Sequence, residues 1–345
     1  MTALAALAAP RTPAPRLSRW LLRLHRPALY VFTGLVVVLA ASLLWLWGPL
    51  TDAAAEGWRQ WNACGDHPRC SYDQDAILRY KKVYDVVTLA MFLIPFLVAA
   101  WAGAALTGGE LENGTAELTW TQGVTPARWL AAKLALPAAL VTVGTGLLVL
   151  LHHLMWSAGE GRVDTQKSWY DTLTFAVNGP GLVGLALAGL VVGALAGLVV
   201  RRALAALGVA LAAMAALWFA TLSALPYLWP AVTTTGDFDH GFSVDGIHVD
   251  YGLVTSTGGH VPAPDCGYAG RETCEEVYAR LHAVGIYNEY HPRSHFWPLH
   301  LVETGLLLAL AALLSLLAFR LLARRTAVAR PRGEQPVRAR EEAAV

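Results

Sequence analysis

Six stretches of the chain are apolar almost without interruption, and no polar stripe recurs through them at helical spacing. They run near residues 28–47, 86–107, 134–156, 181–200, 203–229 and 298–319. A bilayer core of roughly 30 Å takes about 20 residues of helix, and a helix satisfies its own backbone hydrogen bonds in lipid. Buried helices of a large soluble protein would keep a polar face where they meet water, and these stretches have none. The pattern predicts an all-α polytopic membrane protein with six transmembrane helices.

Composition agrees: of 345 residues, 55% are hydrophobic and 15% charged. That is more apolar and less charged than an ordinary soluble domain. The N-terminal Ala-rich run has no basic region before it and five arginines after it, the reverse of a cleaved signal peptide, so the N-terminus is expected to be retained. The formal net charge of +1 averages over segments on opposite sides of a membrane, so its distribution is the informative quantity.

An even number of spans puts both termini on one side. With the termini inside, the inner segments carry 16 Lys plus Arg against 6 acidic residues, and the outer segments carry 10 against 19. Basic residues close to the spans mark the cytoplasmic side, and Arg201, Arg202, Arg320, Arg324 and Arg325 all fall inside on this assignment. The expected location is the cell (plasma) membrane, with both termini cytoplasmic. All four cysteines, Cys64, Cys70, Cys266 and Cys274, then lie outside, where disulfides persist. Of the three possible connectivities, the local pairs Cys64 with Cys70 and Cys266 with Cys274 are favoured because the intervening loops are short. Neither spacing is that of a zinc knuckle, and no metal is expected there.

These boundaries divide the chain into a tail and interfacial helix over 1–27, spans one to five over 28–229 with an inner loop at 107–133, an extracellular loop over 230–297, span six over 298–319, and a basic tail over 320–345. In the first segment Arg16, Arg19, Arg23 and Arg26 take one helical face, and Leu17, Trp20, Leu21 and Leu24 take the other. Such a helix lies flat on a leaflet. Span four carries Gly189, Gly193 and Gly197, four apart, a bare face for close helix packing within the subunit or in a dimer. The large extracellular loop, rich in Gly, Pro, Asp, His and Tyr, reads as an irregular, disulfide-pinned cap.

The inner loop is the most informative segment. Thr107 with Glu110 fits a capping box, which predicts a short inner helix starting there. Thr125 as N-cap with Pro126 at the first helical position predicts the start of the next long helix. Trp129 and Lys133 sit where aromatic and basic residues anchor a span at the interface. A polar knob between two long spans suits force transfer, although an ordinary solvated loop fits the same residues.

The string ELENGT at Glu110 to Thr115, followed by TPAR at Thr125 to Arg128 and by Lys133, resembles the inner loop of ABC type 2 transporter permeases. The longer strings LTWTQGVTPARWLAAKL and YHPRSHFWPLHLVETGLLLAL are similar to an actinobacterial subgroup of that family. The resemblance implies an inner coupling helix that meets a cytoplasmic ABC ATPase subunit, with Glu110, Glu112, Gly114, Thr115, Arg128 and Lys133 as coupling residues. It further implies a permease subunit of an ABC exporter, working as a homodimer or as a heterodimer with a related permease in membrane lipid. The large cysteine-bearing outer loop is longer than a minimal permease needs.

No GxxxxGK[ST] phosphate loop occurs, so no cofactor is expected in this chain and ATP with Mg belongs to the partner ATPase. The chain is therefore expected not to be an enzyme, and nothing in it points to nucleic acid. Glu303, about one turn inside span six, is an intramembrane ionisable residue and a candidate polar site together with His300. The adjacent His152 and His153, and His291 with His295, raise a metal-dependent enzyme as a third function class, but no HExxH is present. A sensor or immunity protein acting through its disulfide-pinned extracellular loop is the principal alternative function.

Overall fold

The computed structural model describes residues 26–64, 70–238, 244–264 and 271–328. The interfacial helix expected over 1–27 falls outside them except for its last two residues, as do Cys266 and the end of the basic tail. Helix α1 (Arg26–Trp45) runs through a π-helical turn, Leu46–Leu50, into α2 (Thr51–Cys64). Helix α3 (Gln74–Trp101) passes a second such turn, Ala102–Gly108, into α4 (Gly109–Glu112). Then come α5 (Thr115–Thr121), α6 (Pro126–Gly159), α7 (Thr172–Val177), α8 (Gly181–Val200), α9 (Ala203–Ala224) and, after the large loop, α11 (Phe296–Val328). Six of these runs are long and apolar enough to cross a membrane.

Spans one and two each run 39 residues as continuous helix. At 1.5 Å per residue that is roughly 58 Å, about 28 Å more than a hydrocarbon core requires. The excess of α2 and the start of α3 stand side by side, joined by the Cys64–Cys70 disulfide, and Asp73 caps α3 by accepting from the Ala76 amide at 3.0 Å. Cys274 is disulfide-bonded as well.

Span four is the axis of the bundle. Its most apolar window is 67% buried inside the protein, against 17% for span five and 22% for spans one and six. Its glycine stripe explains why. A Cβ on Gly189 would stand 2.7 Å from the Pro95 carbonyl, one on Gly193 would collide with the Ala99 carbonyl, and one on Gly197 would collide with the Thr107 hydroxyl. The seam therefore packs span four against span two of the same chain.

That packing also corrects the expected capping box. Thr107 is fully buried within the second π-helical turn, and its hydroxyl donates to the carbonyls of Ala102 (3.2 Å) and Ala194 (3.1 Å). The helical run from Gln74 to Glu112 is unbroken at Gly108, so no new helix start exists for Thr107 to cap. The glycine there serves close approach instead, since a Cβ would meet the Gly103 carbonyl and the Ala206 methyl.

The loop between spans five and six is not irregular. It holds strands β1 (Val232–Gly236), β2 (Gly246–Thr255), β3 (His260–Pro262) and β4 (Ala283–Pro292), paired antiparallel in the order β1-β4-β2-β3, with helix α10 (Arg271–Arg280) before β4. Its core is small: Leu253 and Tyr287 are buried, Tyr287 donates to Asp250 at 3.1 Å, and His260 stacks on the Tyr287 ring at 4.1 Å. Burial, with Asp250 beside it, pushes the Tyr287 phenol above its ordinary range. Strand β4 leads straight into span six, and His291 at its end meets the Pro226 carbonyl at 2.9 Å, in the last turn of span five. The sheet thus crowns the end of the bundle opposite residues 107–133.

Candidate functional site

At the other end, the chain between spans two and three folds into a tight elbow. Gly114 adopts φ +68°, a left-handed conformation that costs a residue with a Cβ roughly 1–2 kcal/mol. It ends α4 and starts α5, where the Thr115 hydroxyl donates back to the Glu110 carbonyl at 3.2 Å. Thr125 caps α6 by accepting from the Arg128 amide at 3.3 Å, and Pro126 occupies the first helical position.

Glu110 and Lys133, 23 positions apart, meet at the heart of the elbow. The Lys133 ammonium donates to Glu110 Oε1 and to the Leu106 carbonyl, both at 2.6 Å, and the Trp129 indole donates to the other Glu110 oxygen at 3.3 Å. Lys133 and Trp129 are buried rather than spread along an interface. Lys133 also lies 5.1 Å from the Trp129 ring centroid, and Trp120 meets that ring edge-on. Two oxygens and the face of one ring stand where water would otherwise surround the ammonium. The pair welds α4 to span three.

Two more carboxylates reach the short connection between spans four and five. Glu112 Oε2 accepts from the Ala203 amide at 2.7 Å, and Glu117 pairs with Arg201 at 2.8 Å. From span six, Arg325 donates to the Leu198 carbonyl beside the same connection. Spans two to five thus meet at one elbow, and span six is tied to span four beside it.

Of the six residues singled out by the sequence, Glu110 and Lys133 are brought together inside the elbow, Glu112 turns toward span five, and Gly114 and Thr115 form its exposed tip. Arg128 stands apart, exposed and without an ion pair among the described residues. Trp129, Glu117, Arg201 and Arg325 were not singled out as partners of this loop. The tip bears one large apolar side chain, Leu118, 59% exposed beside Thr115. The cluster is a knob with an exposed face.

Near the sheet end lies a second buried polar group. His300 is sandwiched between the Phe175 ring, stacked at 4.0 Å, and the backbone of Gly179, while Glu303 Oε2 stands 3.7 Å from its Nδ1. A Cβ on Gly181 would approach that carboxylate oxygen to 2.7 Å, so span six seats against the first residues of span four with no room between. Beside them, unsignalled by the sequence, the Asn178 Oδ1 accepts from His152 Nδ1 at 3.0 Å, while the Thr88 hydroxyl meets His152 Nε2 at 3.3 Å. Among the described residues, His, Cys, Asp and Glu form no group of three that could hold a metal ion.

None of the curated proteins and none of the solved structures compared with the chain is significantly similar to it. A family model does match: the one described as ABC-2 membrane transporter related covers residues 33–225, more than half of the chain, from span one through span five with the elbow at its centre. With six apolar helices built around that segment, the chain belongs to the ABC-2-related membrane transporters and is a multi-pass membrane permease of an ABC-type system.

Proposed function

We propose that this permease is the membrane-spanning subunit of an exporter in the plasma membrane, that its elbow and both termini are cytoplasmic, and that a separate ABC ATPase docks on the elbow tip. The single observation that carries the reading is mechanical. The loop between spans two and three is welded to span three by the buried Glu110–Lys133 pair, yet presents Asn113, Gly114, Thr115 and Leu118 to solvent. A push on such a tip reaches the membrane helices with little loss in loop flexing. Basic residues near the elbow end and the Cys64–Cys70 disulfide at the sheet end support the orientation. ATP and Mg bind the partner, and this chain does no covalent chemistry of its own.

Co-purification with a co-expressed candidate ABC ATPase tests the reading. Leu118→Asp should cut complex formation and ATP-dependent export at least tenfold while leaving the membrane-inserted yield unchanged. Undiminished binding by that variant would rule out the tip as the docking face.

The folded sheet favours a second reading, a sensor or immunity protein that presents residues 230–297 to an external ligand. Deletion of that loop would abolish sensing and spare ATPase binding.

A further inference from the structure

We infer that Glu112 and Arg201 are positioning residues that fasten the elbow to the start of span five, so that displacement of the elbow is passed to span five; this rests on the reading of the elbow as the ATPase contact.

Spans four and five are joined by only Arg201 and Arg202. The first amide groups of any helix have no partner within it. Arg202, at the cap position of α9, makes no side-chain cap bond. The Ala203 amide donates instead to Glu112, a residue 91 positions earlier, at 2.7 Å. A carboxylate is well suited there, because it takes up an orphan donor and faces the positive end of the helix dipole. The cap of span five is thus supplied by the elbow.

The other side of the connection is held from the elbow too. Arg201 has φ +58°, left-handed backbone that costs a non-glycine residue about 1–2 kcal/mol. Its amide bonds the Gly197 carbonyl at 2.9 Å, and its guanidinium pairs with Glu117 at 2.8 Å. An exposed ion pair contributes little energy by itself. Its role here is directional, because Glu112 on α4 and Glu117 on α5 grip the connection from either side.

Span five is also the span least able to resist being moved. It is the least buried of the six, 17% of its most apolar window against 67% for span four. Among its residues only Ala206, Ala210 and Met214 are buried, and Ala206 and Ala210 rest on the small residues around Gly103 and Gly108. Spans two and three are welded to the elbow by continuous helix and by the Glu110–Lys133 pair, so the elbow moves with them. The cap carries that motion across to span five.

The test uses the full permease with its ATPase in lipid nanodiscs. Spin labels go on Leu204→Cys, at the 85% exposed start of span five, and on Val143→Cys, 72% exposed in the middle of span three. Their distance is read by pulsed electron paramagnetic resonance without nucleotide and with ATP and vanadate. The unmutated background should show a shift between the two states. Glu112→Gln, which keeps an acceptor oxygen, should retain it, whereas Glu112→Ala should lose at least half. Arg201→Gly, which relieves the left-handed backbone while cutting the tie to Glu117, should lose a smaller share.

An unchanged shift in Glu112→Ala would overturn the inference. So would loss of ATPase binding in Glu112→Ala alone, since Glu112 would then be a docking residue. If the unmutated chain itself binds no ATPase, the coupling reading fails first and takes this inference with it.

Discussion

Replacing Glu110 by Gln removes one charge from the elbow and almost no volume. Its amide oxygen can still accept from the Trp129 indole, but Lys133 is left with only the Leu106 carbonyl at 2.6 Å and the Trp129 ring. The Lys133 side chain has 0% exposure and cannot turn to water, whereas Glu110 keeps 12%. Breaking a buried pair so that a cation is stranded costs about 3–5 kcal/mol. The reverse change, Lys133→Met, strands a carboxylate that still reaches water and the Trp129 indole, and should cost about 1–3 kcal/mol. With both changes together no buried charge remains, so the loss should be well below the sum, with a coupling of about 1–3 kcal/mol. Thermal unfolding of the detergent-solubilised protein, followed by tryptophan fluorescence, measures this. At roughly 2 °C per kcal/mol for a chain of this size, Glu110→Gln should lower Tm by about 6–10 °C. A drop under about 2 °C, or additive losses in the double variant, would show that the pair is not the weld described.

Other consequences are simpler to read. Gly193→Val forces side-chain atoms into the Ala99 carbonyl and should destabilise by at least about 1–3 kcal/mol, whereas Gly208→Ala, with nothing within 4 Å, should leave Tm unchanged. Gly114→Val should cost about 1–2 kcal/mol through its φ of +68°, and Gly114→Asn clearly less, as judged by Tm. Thr125→Ala removes the cap of α6 and should cost about 1 kcal/mol; an effect on fluorescence of Trp129 without any loss of stability would contradict that assignment.

The spans were legible because lipid demands long apolar runs, and hydropathy needs no partner to be read. Their true lengths were not: the Thr51–Cys64 extension has an ordinary soluble composition, and its partners, the start of α3 and residues 162–165, lie far from it in sequence or beyond a turn. Thr107 was misread for a related reason. A threonine three residues before a glutamate looks like a helix start, but the hydroxyl is consumed by Ala194 of another span, 87 positions away. The glycine stripe announced close packing, while its partner, the carbonyl edge of Pro95 to Thr107, became visible only in three dimensions. The sheet escaped because its two long strands are interrupted by Gly and His and are bulged between His248 and Asp250, while the outer two are short, so period-two alternation never accumulates.

In the elbow, the residues carried by resemblance take different places, which the sequence does not distinguish: Arg128 stands apart and exposed. Glu110 and Lys133 face each other inside, Glu112 serves span five, and only the tip is free for a partner. The ties to Ala203 and Arg201 span 91 and 84 positions, and no local pattern reports pairs so distant. Arg201 and Arg202 did carry a signal, two arginines in a connection of two residues, which reads equally as a membrane-side marker.

Which side of the membrane the elbow occupies decides whether an ATPase can reach it. The most direct measurement is the reactivity of a cysteine placed at exposed Asn113 toward a membrane-impermeant maleimide. Labelling only after the cells are permeabilised is the predicted result. Labelling of intact cells would put the elbow outside and contradict the account.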